Sequence, residues 1–210
     1  MNSVTVYAGL VCVVLPLVGC ALLMKSETTA PRYFSAGAPV SLPAASKVRI
    51  PCDLRLGSVS SASHLDEHIA FRMSAEEVGF YTDRRWTEIP EEYLRRALER
   101  ELFEVRGVQR VMSSAAPTLD VELLAFEEVR GGTVQALVAA RFTVRAEDLV
   151  LLQDSVSLTM SIKRPSGNDS AQQLAATLSL ALTAAAERIA SATIGQLQCR
   201  AESRVDSKPE

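Results

Sequence analysis

A run of strict alternation in the second half of the chain narrows the possible folds more than any other feature. Val134, Ala136, Val138, Ala140, Phe142 and Val144 hold period two without a break. Val156, Leu158, Met160 and Ile162 repeat the pattern, with Ser155, Ser157, Thr159 and Ser161 between them. Upstream, Leu119, Val121 and Leu123 alternate with Asp120 and Glu122, and the phase slips around Leu124 and Phe126, the signature of a bulge. Gly131-Gly132 and Ala146-Glu147-Asp148 are turn signals between the runs. Successive strand side chains point to opposite faces, so these runs predict an antiparallel meander with one apolar and one wet face.

Such a face must be covered. The cover predicted here is a helix from Ala171 to about Leu197, where Ser170 and Gln173 have capping-box spacing. Leu174, Leu178, Ala181, Leu182, Ala185, Ile189 and Ala192 keep its helical period. Its uncharged part, Leu174 to Ala186, is too short to cross a bilayer, which takes roughly 20 residues. Earlier in the chain, Lys47 to Ser58 reads as a strand with Pro51 near its start or on an edge. Ile69, Phe71 and Met73 return through Val78 and Phe80 as a hairpin. Pro90 opens a first helix, which buries Leu94, Ala97, Leu98, Leu102 and Val105 and stops at Gly107. Glu91 and Glu92 in its first turn each have an Arg four residues on, Arg95 and Arg96. The expected class is α+β: a mainly antiparallel sheet with two helices packed on one face. No internal repeat is apparent.

The N-terminus obeys a different logic. Val4 to Met24 carries no charge, and Leu10, Val11, Val13, Val14, Leu15 and Leu17 form an apolar core before Gly19 and Cys20. Leu17-Val18-Gly19-Cys20 resembles the lipobox of bacterial lipoproteins, which is cut before a cysteine that then takes a diacylglyceryl group. The implied plan is a signal peptide at 1–19, a lipidated Cys20 with a flexible tether at 20–46, a folded domain at 47–198 and a disordered tail at 199–210. Two other readings stand beside it: a plain export signal with an incidental cysteine, and an uncleaved membrane helix, made poor by Gly9, Pro16 and Gly19. The segment before the apolar core has no Lys or Arg, unlike usual export signals. Within the tether, Pro31-Arg32-Tyr33-Phe34-Ser35 is an aromatic cluster that can pair as an edge segment.

Removing residues 1–19 leaves about 190 residues, enough for one domain with a core. A formal charge of −3, no basic stripe and a single tryptophan argue against nucleic acid. Of four cysteines, Cys12 lies in the signal and Cys20 at the lipobox, leaving Cys52 and Cys199. In an oxidising compartment these two pair and staple the ends of the domain, or they stay free, with Cys52 a small core residue.

Catalytic constellations are missing. His64 and His68 are four apart but lie in a loop entering a strand, where that spacing does not converge on a metal. There is no Gly-x-Ser-x-Gly, and no Gly-Lys-Ser or Gly-Lys-Thr follows Gly131-Gly132, so neither an activated serine nor a nucleotide-phosphate loop is present. Asp120, Glu122, Glu127 and Glu128 read as a solvated outward face. Trp86 has two readings, a core anchor for the neighbouring helix or an exposed partner contact. The expectation is a protein that is not an enzyme and needs no cofactor or metal.

Three stretches in order carry a family resemblance: His64-Leu65-Asp66-Glu67-His68-Ile69-Ala70-Phe71-Arg72, then Arg85-Trp86-Thr87-Glu88-Ile89-Pro90 before a Leu-rich helix, then Leu119-Asp120-Val121-Glu122 with Phe126, Glu127, a Gly turn and a long strand. Behind a lipobox and Tyr33-Phe34, they are similar to the ABC-type transport auxiliary lipoproteins, the paraquat-inducible protein C type. The resemblance implies a non-catalytic part of an MCE lipid-transport system, anchored to the outer membrane, facing the periplasm and docking the MCE-domain protein, with no nucleotide bound. The hypothesis built on it is a homo-oligomer, with Tyr33, Phe34 and Trp86 as candidate contact positions. Ala21, in place of an Asp after the lipidated cysteine, accords with the outer membrane. A structural or assembly lipoprotein, such as a pilot for an outer-membrane machine, is the alternative.

Overall fold

The computed structural model describes residues 30–37, 50–162 and 170–205, the side chains of 198–205 excepted. The expected signal, Cys20 and most of the expected tether lie outside these residues.

Eight strands form one sheet: β1 (Arg32–Phe34), β2 (Ile50–Ser61), β3 (His68–Arg72), β4 (Val78–Trp86), β5 (Val108–Arg110), β6 (Thr118–Val129), β7 (Gln135–Ala146) and β8 (Leu149–Ser161). Helix α1 (Pro90–Glu99) continues into a π-helical segment, Arg100–Val105, and α2 spans Ser170–Val205. The expected meander is β6–β7–β8, antiparallel throughout. Its bulge falls where the phase slips: the register jumps between Leu123 and Ala125, and Leu124 is left partly exposed.

β6 is the hub. On one side it pairs β7; on the other, β2 runs beside Thr118–Leu123 and β3 beside Glu127–Val129. Both β2 and β3 are parallel to β6, as is β5 to β2 and β1 to β4. The sheet is therefore mixed, which corrects the expected mainly antiparallel arrangement. Parallel neighbours need a crossover connection, and the span from β2 to β6, with α1 inside it, provides one. Period two reveals which side chains share a face but not which way a neighbouring strand runs.

Both helices lie on one face, as expected. α2 packs on β7 and β8, while α1 packs on β2, β6 and α2. The core between them holds Leu54, Leu94, Leu98, Leu119, Leu123, Val138, Val144, Leu178, Leu182 and Ile189, none more than 2% exposed. Pro90 sits at the first turn of α1, with Glu91 and Glu92 at its positive end. The expected pairs four residues apart are replaced: Arg95 lies 3.9 Å from Glu92, Arg96 pairs with Glu88, and Glu91 accepts from Ser61 Oγ at 2.9 Å. Gly107 ends the π segment with φ 70°, a backbone open to glycine at little strain. Helix α2 runs to Val205, past Leu197 and into the stretch read as a disordered tail, because no Gly or Pro interrupts residues 196–205.

Part of the expected tether is also structured. β1 pairs β4 with Arg32 opposite Arg84, Tyr33 opposite Arg85 and Phe34 opposite Trp86. Ala36 is buried, and its carbonyl accepts from Ser179 Oγ of α2 at 2.7 Å.

Candidate interaction surface

The aromatic cluster of the tether and the lone tryptophan meet at the outer edge of the sheet. Trp86, at the end of β4, is 1% exposed. Its ring meets Tyr93 of α1 edge-on at 6.0 Å between centroids and Phe126 of β6 at 5.0 Å. Trp86 is thus a core anchor, and its placement among exposed partner contacts is corrected. Edge-to-face aromatic packing and large apolar burial explain why this corner is the one to hold α1. Tyr93 closes it: its hydroxyl lies 2.7 Å from Thr87 Oγ1 and receives the Glu88 amide at 3.2 Å. Phe34 is half-buried against the same core, and its carbonyl accepts the Thr87 amide at 2.9 Å. Tyr33 projects outward, 63% exposed. Of the three expected contact positions, the fold brings all three together, and Tyr33 is the one it presents to solvent.

Beside Tyr33, Arg85 lines a hollow of about 320 Å³ with Asp66, His68, Phe80 and Thr82. Phe80 is 40% exposed and meets His68 edge-on. Asp66 turns the chain into β3, accepting the His68 amide at 2.7 Å and facing its Nδ1 at 2.8 Å. Burial pushes the Asp66 carboxyl up, but the His68 hydrogen bonds and the nearby Arg85 outweigh this and hold it below the usual range. His64 does not join His68 here; its Nε2 is buried with no partner among the described residues. The patch has an aromatic, a carboxylate and a guanidinium within reach of one partner, the composition of a polar-rimmed contact. Among the described residues, no group of three or more His, Cys, Asp or Glu side chains is placed to hold a metal.

The expected solvated carboxylates divide. Asp120 and Glu122 do face away from the helices, paired across to Arg145 at 2.8 Å and Arg141 at 2.5 Å. Glu127 and Glu128 are instead buried, at 0% and 7% exposure. Glu127 is held by Arg72 of β3 through bonds of 2.5 and 3.3 Å. Glu128, on the helix side, accepts from Tyr81 hydroxyl at 2.5 Å and from Arg130 Nε at 3.0 Å. Burial pushes the Tyr81 hydroxyl up and its bond to Glu128 adds to the rise, so it remains a donor. The bulge is the cause: Leu124 consumes an extra position, which turns Glu128 to the face of Phe126. Two adjacent glutamates directly after a phase slip were the available signal.

Cys52 is half-buried in β2, where burial and then Asp53 push its thiol pKa up. It lines a cavity of about 440 Å³ with Pro51, Val111, Pro117 and Leu197. The side chain of Cys199 and all of Cys20 lie outside the described residues. No helix among the described residues is long and apolar enough to cross a membrane.

The fold recurs in solved structures. Protein XCC0632 from Xanthomonas campestris matches with TM-score 0.66 at 18% identity, covering 81% of this chain and 99% of its own. A crystal structure of an uncharacterized protein matches with TM-score 0.59 at 13% identity, over 78% of this chain and 99% of the other. The hypothetical protein CT253 from Chlamydia trachomatis matches with TM-score 0.50 at 10% identity, over 70% and 97%. No curated protein matches the chain. The model of one family, the ABC-type transport auxiliary lipoprotein component, matches residues 35–190, which takes in the docked Ala36, the whole sheet from β2 to β8 and most of α2. The chain belongs to that family of ABC-type transport auxiliary lipoprotein components.

Proposed function

We propose that this chain is a non-catalytic auxiliary subunit of an MCE-type lipid-transport system. Lipidation at Cys20 anchors it to the outer membrane, and the domain faces the periplasm. It acts as a homo-oligomer that docks the MCE-domain protein through the surface around Tyr33, Phe34 and the Asp66–Arg85 hollow. It takes no nucleotide, metal or cofactor. The observation that carries this reading is the family match over residues 35–190. The exposed Tyr33 on an edge strand that closes the tether supports the choice of surface. In the same oxidising compartment Cys52 pairs with Cys199, the two cysteines left once Cys12 and Cys20 are assigned to the N-terminal segment.

The test is co-purification of the full chain with the MCE-domain protein encoded beside it, in mild detergent. Association that weakens on Tyr33→Ala, together with release of Cys20→Ala from the membrane fraction, is the expected result. No association, or a Cys20→Ala chain that still sediments with membranes, overturns the reading.

A further inference from the structure

A cavity of about 400 Å³ lies under the first turns of α2, on the helix side of the sheet. Arg84, Tyr81, Glu128 and Arg130 form its polar wall, and Val134 and Ile162 part of its apolar one. The charges are unequally matched. Glu128 is satisfied by Tyr81 and Arg130, and the Arg130 guanidinium also stacks over Phe71 at 3.6 Å. Arg84 has only a looser one, Asp83. Its guanidinium lies over the Tyr81 ring, 4.0 Å from the centroid. Asp83 Oδ1 is 3.6 Å from its Nε, too far to accept a hydrogen bond. That Nε is buried without a partner among the described residues, on a side chain only 19% exposed.

An unpaired charged donor held out of water is unfavourable unless something else supplies the acceptor. Arg84 is ion-paired only loosely, to a half-exposed Asp83, and its Nε donor is left without an acceptor. A guanidinium fork matches the oxygens of a phosphate, and the apolar wall suits a short carbon body attached to one.

We propose that this cavity binds a phosphate ester, its phosphate on Arg84 and its first carbons against Val134 and Ile162. The ester is either a small soluble organic phosphate or the headgroup of a phospholipid. The geometry is independent of any transport partner, and so is its test.

Calorimetric titration of the full chain in neutral-detergent micelles distinguishes the sources. The probes are inorganic phosphate, glycerol 3-phosphate, dihexanoyl phosphatidylglycerol and, as a phosphate-free control, dihexanoylglycerol. Binding of glycerol 3-phosphate as tight as that of the lipid assigns a soluble ester; binding of the lipid alone among the phosphate probes assigns a headgroup. In either case Arg84→Gln is expected to weaken binding on the order of ten-fold. Arg141→Gln, on the opposite face, is expected to leave it unchanged. Without ligand, Arg84→Gln is expected to raise Tm, because it removes a buried Nε donor that has no acceptor. A fall in Tm, binding that is indifferent to Arg84, or equal binding of dihexanoylglycerol overturns the proposal.

Discussion

Phe71 lies across Gly79, its cross-strand partner in the β3–β4 hairpin, so closely that a Cβ at Gly79 would stand 2.5 Å from Phe71 Cζ. The other neighbours of the ring hold it there: Arg130 stacks on it at 3.6 Å and Tyr81 meets it edge-on at 5.2 Å. Gly79→Ala is therefore expected to cost about 1–3 kcal/mol through overpacking. Gly131→Ala, with nothing within 4 Å of its Cβ position, is expected to stay within about 0.5 kcal/mol of the parent. Urea unfolding midpoints decide between them, and equal midpoints would mean that the ring moves freely.

Arg72 and Glu127 form a pair in which the carboxylate is wholly buried and the guanidinium partly so. Arg72→Met strands the charge of Glu127 and is expected to cost about 3–5 kcal/mol. Adding Glu127→Gln to the same chain is expected to recover part of that loss, because the uncompensated charge is gone. A double-mutant cycle in urea measures the difference; an Arg72→Met chain as stable as the parent would refute it.

Asp120 gives the fold an acid-sensitive contact. Burial pushes its carboxyl up, but the Arg145 bond and the Ser58 amide and hydroxyl outweigh this and hold it below the usual range. A lowered folded pKa means that the contribution is fully present above the unfolded value, about 4, and is lost as pH falls through the folded one. Asp120→Asn is expected to flatten the acid limb of the stability curve. At neutral pH it costs less than about 1 kcal/mol, because the pair is half-exposed. Denaturation midpoints recorded from about pH 2 to pH 6 provide the check.

Trp86 and Tyr33 separate stability from recognition. Trp86→Ala empties a site packed by Tyr93 and Phe126 and is expected to cost about 3–5 kcal/mol. Tyr33→Ala, at a mostly exposed position, is expected to change stability by less than about 0.5 kcal/mol. Thermal melts of both chains, set beside the co-purification assay, test the division. Partner binding unaffected by Tyr33→Ala would remove this edge from the interface.

Peptide mapping without reductant tests the cysteines. Material isolated from an oxidising compartment is expected to yield a fragment linking Cys52 to Cys199. By loop entropy, reducing it is expected to lower stability on the order of 4–5 kcal/mol. Two alkylated free thiols in the same digest would exclude the link.

The elements readable in the sequence were those whose information is local. The β6–β8 alternation, the slip at Leu124 and the stop at Gly107 each depend on a few neighbouring residues. The parallel pairings were not readable, since Arg55 meets Thr118 across 62 intervening residues and periodicity is blind to direction. β5, three residues long, is too short to show a period. Glu127 and Glu128 passed as surface residues because a carboxylate is normally solvated, and their cations, Arg72 and Arg130, come together with them only in the folded sheet. For Trp86 the residue type permitted both burial and exposure, and Tyr93 and Phe126, which decide it, come from two other elements.

β1 sets a leash length. If the sulfur at position 20 carries the proposed lipid, eleven residues, 21–31, separate it from the first docked strand, an extended reach of at most about 40 Å. Had the whole stretch to residue 46 hung free, the reach would have been about 95 Å. Under the proposed lipidation, three paired residues more than halve the distance over which the domain could roam from a membrane, and any partner it met there would have to come within that radius.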